Sequence, residues 1–433
     1  MLESEGPQLL SYPRLIFEMA LIYVLSVSFM ILSMLAVNLI PNGPIIATLR
    51  YSLPLENRRV LFGGTVTDEW TECIADSVGI PPNNVELGLI ERSIVSPTLG
   101  NCIVARQFLD GRAGAPFYYW RYWHGTQIIL RPMLAITHVY NVRALTFFLF
   151  VSSFMFAFLA LYRQGLHLAA LAMFAGLFCV HLQSAIFILP HAMDWVIGFL
   201  ACGWIVTRLK GSAAISLQRF CGAFFFVGMM SAFFGLLNNP LVSLTIPLFG
   251  VFWTVAFQKE KSVVESYVLL LAAAGFWLTG YIASWSTKWL ITELYYGGVF
   301  PELIEVIRQR LGGDFRTEEI TWTHSIFRVL QENVVGCIII FACSIASLVP
   351  LVRFVNAVER RRSDWASFVF IFALPFLWFA TLRNHTIEHA WFVSAGLYVS
   401  FAMVFSLLLT SWDAKSNLVT RVLLRPIDIS PRG

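Results

Sequence analysis

Charge is what this sequence has least of. Only 13% of its 433 residues are Asp, Glu, Lys or Arg, where ordinary soluble domains carry about a quarter. That shortage excludes an ordinary soluble domain. The net charge of +4 is small and its basic residues are spread over several loops, so no nucleic-acid-binding face is indicated. The sequence also lacks a Gly-rich phosphate loop, a Cys-x-x-Cys pair, a heptad array and an internal repeat. Its first residues, MLESEGPQLLSYPR, are acidic, and a long apolar run follows. That start reads as a retained first span rather than a cleaved leader.

What the chain has is apolar length. It is 58% hydrophobic, with a mean hydropathy of +0.71. Runs of spanning length, about 20 residues each, recur near 15–40, 144–162, 166–182, 186–206, 216–237, 241–257, 263–283, 333–352, 366–382 and 390–411. They predict an all-α, polytopic transmembrane bundle of about ten spans, one integral membrane domain over residues 1–433. Arg208 and Lys210 follow the fourth span, and Lys259 and Lys261 the sixth. Arg353, Arg360, Arg361 and Arg362 follow the eighth, and Lys415, Arg421 and Arg425 the tenth. All these loops share one side, which the positive-inside rule assigns to the cytoplasm together with both termini. A multi-pass protein of the plasma or inner membrane is expected.

Two long segments then face outward, residues 41–143 and 284–332. TDEWTECIADSVGIPPNN predicts a short helix over 67–78, stopped by Gly79 and Pro81. PELIEVIRQRLGG predicts an amphipathic helix on the membrane surface, stopped by Gly312 and Gly313. Cys73 and Cys102 are the only two of seven cysteines in these segments. An oxidising exterior would allow them to bridge and pin the first of these helices.

The reactive side chains gather at the outer face. Asp68, Glu69, His124, His191, Asp194, Asn238, Asn239, Arg383, His385, Glu388 and His389 all map there. Ionisable groups at membrane depth are costly and usually serve a purpose, so one outward-facing cavity is expected. Each residue also has a plainer reading. Asp68 and Glu69 complement a helix dipole. FYYWRYWHG, 117–125, is an interfacial aromatic belt with His124 satisfied inside it. His191 and Asp194, three apart, pair with each other. RNHTIEH, 383–389, holds the H-x-x-E-H string of inverted zinc proteases, but those need a Glu ligand well downstream and none follows Glu388. What remains is a cationic, polar cluster suited to an anionic group such as a lipid phosphate.

This arrangement resembles the GT-C superfamily of integral membrane glycosyltransferases. TDEW, shortly after the first span, looks like the adjacent Asp-Glu of protein O-mannosyltransferases, and RYWHG, LRP at 130–132 and RNHTIEH look like segments of bacterial membrane proteins of this kind. The resemblance implies a GT-C-like fold. It also implies inverting transfer of a sugar from a polyprenyl-phosphate carrier to a hydroxyl on a glycan, lipid or protein acceptor. Asp68 would be the general base, with Glu69 as helper. Arg383 would hold the donor phosphate, with Arg131, Arg121, His385 and His389 as further candidates. His124, His191 and Asp194 would contact sugar or acceptor. No cofactor is required, although a divalent metal would be compatible. Two rivals stand beside this reading. A lipid-linked glycan polymerase or ligase would carry its large loop late. A transporter or flippase would show repeats and midplane polar groups.

The topology has a direct test. A cysteine placed at position 60 should react with membrane-impermeant reagent only from outside. Labelling from the cytoplasm would overturn the map and the site with it.

Overall fold

The computed structural model describes residues 12–54, 59–60, 66–81, 87–112, 117–209, 217–256, 263–311, 321–346 and 362–413. Of the basic residues used to orient the chain, Arg208 and Arg362 fall in this set; the others, and both termini, lie outside it. Gly312 and Gly313 lie outside it too.

Helix dominates, as expected where apolar segments must satisfy their backbone groups internally. In chain order the first elements are α1 (Tyr12–Asn38), α2 (Asn42–Ser52), β1 (Arg59–Val60), β2 (Val66–Thr67), α3 (Glu69–Asp76), α4 (Leu89–Val95), β3 (Pro97–Thr98), α5 (Cys102–Leu109), β4 (Phe117–Tyr118), α6 (Gln127–Ile136) and α7 (Val139–Arg163). Then come α8 (His167–Gly176), which tightens into a 3-10 turn at Leu177–Cys179, α9 (Gln183–Phe187), α10 (Leu189–Leu209), α11 (Leu217–Phe234), α12 (Pro240–Ala256) and α13 (Val263–Tyr296). The last are α14 (Val299–Leu311), α15 (Trp322–Glu332), α16 (Val334–Ala346), α17 (Arg362–Thr381), α18 (Arg383–Glu388), α19 (Ala390–Val393) and, after a 3-10 turn, α20 (Tyr398–Asp413). The strands form two antiparallel pairs, β1 with β2 and β3 with β4.

Among the described residues each apolar run read from the sequence is largely helical, but not every one is long enough to span. Among the described residues six helices have the length and composition to cross a membrane: Pro13–Asn38, Val139–Arg163, Leu189–Leu209, Leu217–Phe234, Tyr267–Tyr296 and Ala390–Thr410. A pair bent by 83°, Trp322–Glu332 with Val334–Ile345, makes a seventh if counted as one span. His167–Cys179, Pro240–Val255 and Ala366–Thr381 are apolar but shorter. The protein is thus an all-α, multi-pass membrane bundle by its helices.

The main core joins α7, α8, α10, α11, α12, α13 and α20 through residues such as Trp195, Phe199, Phe224, Phe249, Trp277 and Tyr398. Glycine sets its tightest contact. A Cβ at Gly228 of α11 would fall 2.0 Å from the Trp277 carbonyl oxygen of α13, and one at Gly280 of α13 would fall 2.1 Å from that of Phe225. Backbone therefore lies on backbone, as small residues permit in membrane bundles.

Between α1 and α7 the chain builds a cap from α2 to α6 over one end of the bundle. Arg131 of α6 holds it together. Its Nε donates to the Val37 carbonyl (3.0 Å), its Nη1 to that of Val78 (3.0 Å), and its Nη2 to the Ile40 carbonyl and Asn42 Oδ1 (both 2.8 Å). Four partners from three parts of the chain thus meet at one buried guanidinium. Gly79, at φ 85°, leaves room for it: a Cβ there would sit 2.5 Å from Arg131 Nη1.

The expected bridge is present. Cys73 of α3 and Cys102 of α5 are joined, with Cα atoms 5.1 Å apart. Replacing both with serine should lower the melting temperature in detergent, by the equivalent of about 2–4 kcal/mol. An unchanged melt, or free thiol at both positions on non-reducing mass analysis, would reject the bridge.

Candidate functional site

Asp68 is the N-cap of α3, and Oδ1 accepts from the Thr71 amide at 3.4 Å, which is why the helix starts there. The helix is shorter than the sequence spacing predicted, Glu69–Asp76. Asp68 does not face solvent. It is 1% exposed, its amide donates to Ser184 Oγ of α9 (3.2 Å), and Oδ2 accepts from Thr71 Oγ1 (2.5 Å) and His191 Nε2 (2.8 Å). Burial pushes the carboxyl pKa up. The hydrogen bond from His191, the charge of that ring whenever it is protonated, the Thr71 hydroxyl and the charge of His389 when protonated outweigh that and hold it below the usual carboxylate value. Asp68 is therefore an ionised carboxylate at neutral pH.

The acids behind it serve the cap. Arg143, near the start of α7, donates through Nε to Glu72 Oε1 (2.7 Å) and through Nη2 to Glu69 Oε1 (3.2 Å) and Glu72 Oε2. Glu69, expected as a catalytic helper, is thus engaged by a guanidinium. Asp76 ends the buried face, and its carboxyl is held well above the usual range by burial and then by the charge of Glu72.

The RNHTIEH segment forms α18 and docks α14. Arg383 donates to the Leu311 carbonyl through Nε (3.4 Å) and Nη2 (3.2 Å), and Asn384 Nδ2 donates to that of Gln309 (2.6 Å). These are terminal carbonyls of α14, the groups that a helix end leaves without intrahelical partners. His385 continues the contact: Nε2 bonds the Leu237 carbonyl (2.9 Å) and Nδ1 bonds Arg310 Nη1. A carbonyl only accepts and a guanidinium only donates, so Nε2 carries the proton and Nδ1 the lone pair. Burial, then the Arg310 and His389 charges, hold this imidazole well below its usual pKa. Glu388 Oε2 lies 3.9 Å from Arg310 Nη1.

A small cavity lies where α3, α14 and α18 meet. Thr71, Tyr119, Asn238, Arg310, His385 and His389 line it, and its volume is about 20 Å³, room for about one water. Thr71 joins it to Asp68, and Phe392, another wall, puts its ring 4.6 Å from that of His191. Of the sequence candidates, Asp68, His191, His385 and His389 are thus brought together. Arg310 joins them, although the sequence reading passed over it. Its signal was its place in the last turn of the amphipathic helix, beside Arg308.

The other candidates serve elsewhere. Arg131 spends its donors on the cap carbonyls, so it is not placed to hold a phosphate. The half-buried Arg121 lays its guanidinium over the Tyr119 ring at 5.2 Å. Arg383 grips α14 rather than lining the cavity. The aromatic run is not an exposed belt: Tyr119, Trp120, Tyr122 and Trp123 are buried in the cap, and Trp123 Nε1 donates to the Ser284 carbonyl of α13 (2.9 Å). His124 sits among them at φ 58°, with Nε2 2.8 Å from the Tyr119 carbonyl, and burial pushes its pKa down to about 3. Asp194 is not hydrogen-bonded to His191; its Oδ1 accepts from Ser231 Oγ of α11 (2.6 Å). Among the described residues no group of three or more His, Cys, Asp or Glu side chains is placed to hold a metal ion.

No family model matches the chain, and no curated protein or solved structure matches it either.

The clamp on α3 predicts a stability effect. Arg143→Ala removes the guanidinium that binds both carboxylate oxygens of buried Glu72 and should cost about 3–5 kcal/mol, read as a lowered detergent melting temperature. Adding Glu69→Gln and Glu72→Gln should recover part of it. A single variant that melts like the wild type would refute the clamp.

Proposed function

We propose that this chain is an integral membrane glycosyltransferase of the GT-C kind, moving a sugar from a polyprenyl-phosphate carrier to an acceptor hydroxyl on the extracytoplasmic side. One observation carries the reading. A buried, ionised carboxylate at the head of α3, in the cap that follows the first span, meets a histidine of a membrane helix, beside a cavity lined by a guanidinium and two further histidines.

The chemistry suits that arrangement. A sugar phosphate already holds its leaving group, so the enzyme must accept the acceptor's proton and hold the departing phosphate. The Asp68–His191 pair serves the first need and Arg310 the second, in the place the sequence reading gave to Arg383. Direct displacement inverts the anomeric centre. The disulfide favours an oxidising compartment for the cap. An apolar groove of about 630 Å³ between α1, α10 and α11, lined by residues such as Leu21, Ile197, Trp204 and Phe226, offers room for a carrier chain. A cavity of about 20 Å³ cannot hold a sugar, so substrate entry requires its lining segments to part.

Asp194, a carboxylate inside the bundle, favours the transporter reading as runner-up. The deciding experiment supplies purified protein in nanodiscs with labelled polyprenyl-phosphate sugars. Transfer should occur, and Asp68→Asn should reduce it about 10²–10⁴-fold while the protein still folds. Arg310→Ala should chiefly raise the donor KM. Full activity in Asp68→Asn, or no transfer from any carrier, would sink the proposal.

A further inference from the structure

Resting on the glycosyl-transfer reading, we infer that His191, through Nδ1, is the atom that takes the acceptor's proton, and that Asp68 is the positioning residue that holds its ring.

Asp68 has little capacity left. A carboxylate offers about four lone-pair sites, and three of them are already taken by His191 Nε2 at 2.8 Å, Thr71 Oγ1 at 2.5 Å and the Thr71 amide at 3.4 Å. A carboxylate so well served is a weak base. It is also a fixed acceptor, and that decides the state of its partner. An ionised carboxylate cannot donate, so His191 Nε2 must carry a proton. In the neutral ring Nδ1 is then a lone pair.

Among the described residues that lone pair has no hydrogen-bond partner, although His191 is only 2% exposed. A buried acceptor left open in this way calls for an explanation. The ring is held on one edge by Asp68 and packs at 4.6 Å against Phe392, which lines the cavity. An acceptor hydroxyl entering beside Phe392 is the missing donor. The charged groups around the ring suit this role. Asp68 faces it from α3, His389 stands beyond Phe392, and Asp194, one turn along α10, is engaged with Ser231.

The step balances. The acceptor O–H proton passes to His191 Nδ1, and the freed oxygen pair bonds to the anomeric carbon. The bond from that carbon to the phosphate oxygen breaks, its electron pair leaving with the carrier phosphate towards Arg310. The imidazolium formed is stabilised by the Asp68 carboxylate and returns its proton to water once product leaves.

The first test needs no activity. Nitrogen-15 histidine spectra of the full chain in nanodiscs, with the His191 signals assigned by their loss in His191→Gln, should show a protonated Nε2 and a bare Nδ1. A protonated Nδ1 in the neutral ring overturns the inference. The second test is kinetic. His191→Gln should lose about 10²–10⁴-fold in kcat, and the double variant with Asp68→Asn should be no slower than His191→Gln alone. Added imidazole should restore part of the activity of His191→Ala, which a merely structural role would not allow. If the wild type transfers sugar and His191→Gln does so nearly as fast, His191 is not the base, although the glycosyltransferase reading stands. If the wild type transfers nothing, that reading falls and the role of His191 falls with it. Should His191→Gln fail to fold, the His191 signals are assigned in the wild type from their correlations with Pro190 and Ala192, and the tautomer still decides.

Discussion

The cap is organised around one guanidinium that has no carboxylate partner among the described residues. Arg131 meets the end of α1, the start of α2 and the turn after α3, and it does so through carbonyl and amide oxygens. A charge buried this deeply is tolerable only when its donors are satisfied. It is therefore content only while those three segments stay together. Removing any one of them would leave a buried donor open. The position of α3, and with it Asp68, follows from that requirement as much as from the disulfide.

This also explains how far the sequence could be read. Asp68 was legible because acids at the start of a run of apolar spacing are a local signal, and Gly79 and Pro81 marked the end of the helix; that Asp68 caps the helix rather than lying in its first turn came only from the fold. The Cys73–Cys102 pair was legible by its segregation from the other cysteines. The role of Arg131 was not, because its partners are backbone oxygens, which residue types do not reveal. The same holds for Arg383, whose neighbourhood of histidines suggested an anion site while its partner is a helix-end carbonyl. Arg143 reads locally as a flank of the second span; only the fold brings it to residues 69 and 72.

Hydropathy located the helices well and their role as spans less well. It measures apolar length, and it does not register the bend at Asn333 that separates α15 from α16. Likewise, a string of aromatics beside a span looks the same whether it meets lipid headgroups or folds inward. FYYWRYWHG folds inward because Gly125 lies flat on Phe233, where a Cβ would come within 2.5 Å of the ring, and because the Trp123 indole finds a carbonyl on α13.

The paired glycines of α11 and α13 have a mechanical consequence. Each helix presents a carbonyl to the other's Gly228 or Gly280, so the two are keyed like teeth on a rack. Neither can slide or roll without driving backbone into backbone. Those helices make a stator. Any movement of the bundle is thereby left to elements outside this pair, such as α14, whose last turn is tied to α18 by Arg383, Asn384 and His385 and whose first turns pack through Val299 and Leu303 on Val95 and Trp120.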